Sequence, residues 1–433
     1  MQTNFHKLTY TAVFSLLCVF TFAQTNSPYS RFGLGFLRSD VFSSNKAMGE
    51  IAAGYRSAVG LNVQNPASYS ELSLTTFEGG ANIDATTMTT KDSVYKGTYG
   101  TLNHIAVGIP LKRDRWGLSL GLLPFATTNY RFQLQNIDTF NEYNGKGSLY
   151  KLYLGSAYRI GDFSIGFNVG YLFGKQEYYK GYTFTDSLSA LNVRNNTSMN
   201  VNGFLYNLGI QYKKRIIKHT EANRLKTDIF FTAGAYGNSG VAANAKVNAL
   251  WERYFTSVST GVDYPVDTPL QQAEVKGKIR MPSQFGIGFT VGNENWWIVG
   301  ADFKFSQWSK FTSPVSYGSV GDSWRFSLGA GITPDYTGKF VKRISYKAGF
   351  YAGKSEVRVN NAPLSEYGGT FGFVLPFVFG RDRVNTNDFF QLFLMGDVGT
   401  RVPNSAAFIK ETYYRFTIGL SFNSLWFQRR KFD

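Results

Sequence analysis

The sequence predicts an all-β fold, a 14-stranded antiparallel transmembrane β-barrel with an N-terminal plug in its lumen. Three observations predict it. Apolar side chains alternate with small or polar ones through most of the 433 residues, the period of a strand with one greasy face. Aromatic residues reach 17%, level with charged residues at 17%, whereas an ordinary soluble domain carries about 25% charge. The chain also opens on an export signal. After residue 23 there is no apolar run of the ~18 residues a spanning helix needs. So many aromatics with so little charge also exclude a disordered chain.

Residues 1–23 carry Lys7, an apolar run from Ala12 to Phe22, and Thr21 and Ala23 at the small-residue positions of a cleavage site. This pattern is a secretory signal peptide, too short to anchor. Lipoprotein processing at Cys18 would want a small residue where Leu17 stands. Cys18 is the only cysteine, so the exported chain must be stabilised without disulfides.

Residues 24–71 do not alternate. They hold Asn26 to Gly35, Ala47 to Gly54, and Val63 to Ser68 with an Asn65–Pro66 break, which read as compact loops and short helices. Ahead of a closed barrel, such a segment either hangs outside or folds into the lumen. Gly and Ser at lumen-facing strand positions leave room for it, and barrels are known to be filled in this way. The expected division is a signal peptide at 1–23, a hatch at 24–71 and the barrel at 72–433.

In the barrel region Trp116, Leu118, Leu120 and Leu122 alternate with Gly117, Ser119 and Gly121, and Phe163 to Tyr171 alternate with Ser164 to Gly170. Fourteen such segments centre near residues 80, 107, 122, 152, 168, 206, 235, 283, 302, 328, 348, 373, 395 and 418. Short polar turns, as at Lys112–Arg115 and Gly161–Asp162, take turns with longer connections, the longest expected near 239–271. Even strand number, alternating turn length and abundant aromatics are the signature of an outer-membrane barrel, placing the protein in the outer membrane of a Gram-negative bacterium. The formal charge of +16 is scattered over separate turns such as Lys213, Lys214, Arg215 and Lys218. That pattern suits lipid head groups or plain solvation of the turns, and not the single groove a nucleic acid needs.

In the stretch ending Asn65–Pro66–Ala67, in Leu154 to Asn168, and in the closing Tyr413 to Lys431, the chain resembles the long-chain fatty acid transporter (FadL) family, in its Bacteroidota form. The resemblance implies a monomeric barrel for passive uptake of hydrophobic, fatty-acid-like molecules, with no cofactor. Cargo would pass the hatch, here Asn65, Pro66 and Ala67, and leave through a lateral opening at a kink in the third strand. Leu123–Pro124–Phe125 falls inside that strand, and proline marks an edge, bulge or break because it cannot donate to the ladder. The other reading places Pro124 harmlessly at the strand's outer end.

Catalysis is not expected. The exported chain has two histidines: His219 in a basic turn, and His104, which the alternation points into the lumen. No histidine pair or cysteine stands at metal-ligand spacing. Asp302 and Lys304 face inward together and look like a charge pair able to hold the hatch. The rival function is an accessory subunit of an outer-membrane secretion or barrel-assembly machine, binding other envelope proteins. A continuous apolar tunnel would favour transport, and exposed apolar patches on loops or belt would favour the subunit.

Overall fold

The computed structural model describes residues 27–185, 190–219, 227–257, 259–315, 318–378, 388–405 and 408–426; the expected signal peptide lies outside them. One antiparallel wall closes on itself. Its first staves are β1 (Thr75–Thr89), β2 (Val94–Lys112), β3 (Trp116–Gln135), β4 (Thr139–Ile160), β5 (Phe163–Phe184) and β6 (Asn192–Ile217). Two staves follow in pieces: β7 (Ile229–Asn238 and Ala242–Thr256) and β8 (Asp263–Arg280 and Gln284–Gly292). Then come β9 (Trp297–Ser306), β10 (Ser323–Ile332), β11 (Ser345–Val359), β12 (Ala362–Val378), β13 (Phe389–Val402) and β14 (Lys410–Ser424). The last strand pairs with the first from Lys410↔Thr89 to Ser424↔Thr75, so the wall has no open edge at its seam.

Alternation decides which face meets what. On β5, Phe163, Ile165, Phe167, Val169 and Tyr171 are exposed, whereas Ser164 and Asn168 are buried. That inverts a soluble protein and builds an apolar belt for lipid. Near the turn-side end Phe340, Phe377, Phe390 and Phe422 follow one another at ring separations of 5.3, 4.6 and 6.1 Å, part of an aromatic girdle. Among the described residues no helix is long and apolar enough to cross a membrane; the strands do that work.

The expected long loops are mostly strand. The stretch near 239–271 is occupied by the outer pieces of β7 and β8, and β4, β5 and β6 run on far past the ~9–11 residues that span a bilayer. Where both faces of an outer strand meet water, the alternation that reports strands fades. The outer piece of β8 is exposed along nearly its whole length.

Two breaks interrupt the wall. The β2–β3 ladder runs outward only to Ile105↔Leu122, and β3 then bulges between Pro124 and Ala126 against β4. Pro124 therefore lies in the middle of its strand, which continues to Gln135, and not at its outer end. Along the freed edge, Phe36 and Leu37 pair with Thr127 and Ala126, and Arg38 N–H donates to the Phe125 carbonyl at 3.0 Å. On the far side, β6 pairs with β7 at Asn202↔Asn244 and next at Leu208↔Gly237, leaving the residues between them without ladder partners on β7.

Candidate functional site

The N-terminal segment lies against the inner wall, and most of residues 41–72 are buried. It is held by polar contacts from staves all round the barrel. Arg38 pairs with Asp84 of β1 at 3.0 Å, Asp40 with Lys151 of β4, and Glu50 with Arg325 of β10 at 3.3 Å. Lys46 donates to Asn82 at 3.0 Å, and Lys347 of β11 donates to the Ser44 carbonyl at 2.6 Å. Each would leave an unmatched buried polar group if the segment departed.

Asn65 Nδ2 donates to the Ala53 carbonyl at 2.7 Å and the Ile210 carbonyl at 3.3 Å. Its Oδ1 accepts from Ala67 N–H at 3.2 Å, capping the 3-10 helix Pro66–Glu71 that Pro66 begins. The segment approaches the wall so closely that two wall glycines have no room for a side chain. A Cβ on Gly209 would stand 2.1 Å from Asn65 Oδ1, and one on Gly349 would stand 2.0 Å from Gly49 N.

Asp302 faces inward and is 6% exposed. Its Oδ2 accepts from Ala52 N–H at 2.6 Å and Ala53 N–H at 2.7 Å. The carboxylate thus holds the segment by its backbone; among the described residues it makes no ion pair with Lys304. His104 is fully buried, stacks on Phe42 at 3.9 Å and lies 3.3 Å from Glu78. Asn103 Nδ2 lies 3.0 Å from its Nδ1, so among the described residues its contacts are an aromatic ring, a carboxylate and an amide.

At the turn-side end Glu71 meets Arg56 at 3.1 Å, Arg159 at 3.8 Å and Lys213. Burial alone would raise its pKa, but Arg56, then Lys213 and Arg159, hold it down to about 2. A depressed carboxyl stabilises above its unfolded value of ~4.3, and that contribution disappears as pH falls towards the folded value. Pepsin cleavage within residues 58–73 should therefore climb between about pH 4 and pH 2. In Glu71→Gln it should already be high at the upper pH and stay flat; an unchanged wild-type-like profile would refute the clamp.

Sequence reasoning missed a second charged cluster. Arg415 bridges Asp84 at 2.7 Å and Asp397 at 3.0 Å, while Arg401 bridges Glu366 at 3.1 Å and Glu411 at 3.3 Å. Tyr351 donates to Asp397 at 2.7 Å. The signal was available, since all these residues sit at inward positions of β1 and β11–β14.

Between this cluster and the N-terminal segment lies a cavity of about 300 Å³. Its lining includes Lys46, Glu50, Asp302, Lys304, Arg325, Glu356, Asp397 and Arg415, so it is polar and charged. Leu123 and Pro124 are buried, and Phe125 reaches the cavity. On the outer side, the connection from β9 to β10 turns inward. Trp308, Phe311 and Val315 are 5–8% exposed and pack with Leu34, Tyr130, Leu172, Met199 and Val201. The apolar space of the outer lumen is filled by the protein's own side chains.

The fold is that of known outer-membrane channels. The chain is similar to a FadL homologue of Pseudomonas aeruginosa (TM-score 0.60, 11% identity, covering 90% of this chain and 99% of that one). It is similar also to the toluene transporter TbuX of Ralstonia pickettii (0.54, 13%, 88% and 98%) and the toluene transporter TodX of Pseudomonas putida (0.53, 16%, 90% and 99%). At these identities the likeness establishes the shared FadL-like barrel. TbuX and TodX are named as toluene transporters. No curated protein matches the chain by sequence. The BamG family model matches residues 5–433, and the chain, a FadL-like barrel in fold, belongs to the BamG family.

Proposed function

We propose that this barrel acts in the outer membrane as an accessory subunit of an outer-membrane assembly or secretion machine, binding other envelope proteins through its exterior. One observation carries the reading: the N-terminal segment is buried against the inner wall, Trp308, Phe311 and Val315 pack into the outer lumen, and the space between is lined by charge. A hydrophobic cargo would have to strip water from those charges or disrupt their pairing, a cost of several kcal/mol per uncompensated ion. The family name BamG points the same way. Outside, the strands of β6–β8 stand above the belt with Trp251, Phe255 and Tyr264 exposed, the aromatic residues that protein interfaces favour.

A specific observation favours a second reading, uptake of hydrophobic small molecules. The β2–β3 ladder ends at Leu122, two residues before Pro124, and its free edge is bridged by the N-terminal segment through Ser30, Phe36, Leu37 and Arg38. This is where a lateral opening at strand three would lie.

Depletion of the protein separates the two. The subunit reading expects a general fall in folded outer-membrane proteins, and a stoichiometric complex with another envelope protein after purification in mild detergent. A barrel that purifies alone, whose loss impairs only growth on hydrophobic compounds, would overturn it in favour of uptake.

A further inference from the structure

The second wall break, across β6, β7 and β8, opens on the same charged cavity. Its strands are joined there by irregular bonds: Met281 N–H donates to the Val241 carbonyl at 2.8 Å, and Gly240 N–H to Ser283 Oγ at 3.1 Å. Asn207, Asn238, Gln284 and Ser306 around the break all line the cavity, as does Lys304, which makes no hydrogen bond or ion pair among the described residues. Lys304 pairs in register with Gly286, and Gln284 with Ser306, so the lysine stands one inward position from the break.

Outside, the break lies where the apolar belt stops. Phe204 (68% exposed) faces out within it and Phe285 on its turn side; beyond it the outward residues of β7 are Asn244, Lys246 and Asn248. That is the level of lipid head groups. A polar-lined gap there, with the Lys304 ammonium behind it in no direct ion pair and with Asp40 and Glu50 acting on it only from further off, matches an amphiphile with an anionic head.

We propose that the β6–β8 break binds an anionic lipid, its phosphate drawn into the lumen by Lys304 and its acyl chains left against Phe204 and Phe285. The ammonium supplies the charge. The side-chain amides of Asn207, Asn238 and Gln284 and the Ser306 hydroxyl supply further donors to phosphate oxygens. The site is independent of the β2–β3 opening and of whether the barrel transports or assembles. A phospholipid and the phosphorylated lipid of the outer leaflet share this chemistry.

The test is native mass spectrometry of the whole protein in mild detergent, after adding phosphatidylglycerol, phosphatidylcholine, or lipid A with and without its phosphates. The anionic forms should be retained on the order of tenfold more than their uncharged or zwitterionic counterparts, roughly what one charge-assisted contact gives. Lys304→Gln should abolish that preference, and Lys91→Gln, in a distant outer turn, should keep it. Val241→Trp, filling the break, should reduce retention of both classes, with heat-modifiable gel migration confirming the barrel. The better-retained phosphate carrier identifies the source. Equal retention of charged and uncharged lipids, or a preference that survives Lys304→Gln, overturns the proposal.

Discussion

Asp302→Leu should release Ala52 and Ala53 from the wall while leaving the barrel closed. In the native chain one carboxylate oxygen accepts both amides, and each such charged bond contributes roughly 1.5–3 kcal/mol. Leucine accepts neither, and the two N–H groups would stay buried beside Met48, Ile51 and Tyr55. The expected loss is on the order of 3–5 kcal/mol of local anchoring. Deuterium uptake in residues 47–57 should rise by orders of magnitude, while amides of β9 and its neighbours keep their protection. Asp302→Asn, which retains an acceptor oxygen, should show a smaller change. If uptake in residues 47–57 matched the wild type in Asp302→Leu, the carboxylate would not be holding the segment.

That carboxylate shows how far the sequence could be read. Its inward direction followed from the alternation Val299, Ala301, Phe303 against Gly300, Asp302, Lys304, and the same alternation placed all fourteen staves near their observed centres. Its partner could not be read, because Ala52 and Ala53 contribute only backbone and lie some 250 residues away. Lys304, two residues along the same face, was the natural partner on paper, yet the structure turns it to the cavity. The long strands of β4–β8 were hidden for a different reason. Periodicity reports a strand only where its two faces meet different media, and along the outer piece of β8 both meet water. The breaks in β7 and β8 did leave a trace in Ser239–Gly240 and Met281–Pro282–Ser283, since glycine and proline inside a strand mark bulges. The charged cluster around Arg401 and Arg415 was legible position by position but not as a cluster, because neighbouring staves align only once the register is known.

The two closures of the lumen should act in series, so removing either alone should leave the barrel electrically quiet. Weakening the inner one through Asp302→Leu exposes the charged cavity to the turn side, but the apolar packing of Trp308, Phe311 and Val315 still bars the outer mouth. Trp308→Ala with Phe311→Ala attacks that packing, at a cost of about 3–5 kcal/mol per aromatic removed. The connection carrying them retains only a few tethers, among them the Arg280–Thr312 bridge. With the outer closure alone weakened, Asp302, Arg325 and Lys151 still fix the segment from three staves. In planar bilayers the wild type and each singly weakened protein should show little steady conductance. The combination should show a stable pore that salt fills, because the walls it uncovers are the polar residues now facing the cavity. A large constant pore in the wild type would mean that the N-terminal segment does not block the lumen in a membrane. Full conductance from Trp308→Ala and Phe311→Ala alone would mean that the outer cluster is the sole seal, and would turn attention from the segment's anchors to the β9–β10 connection.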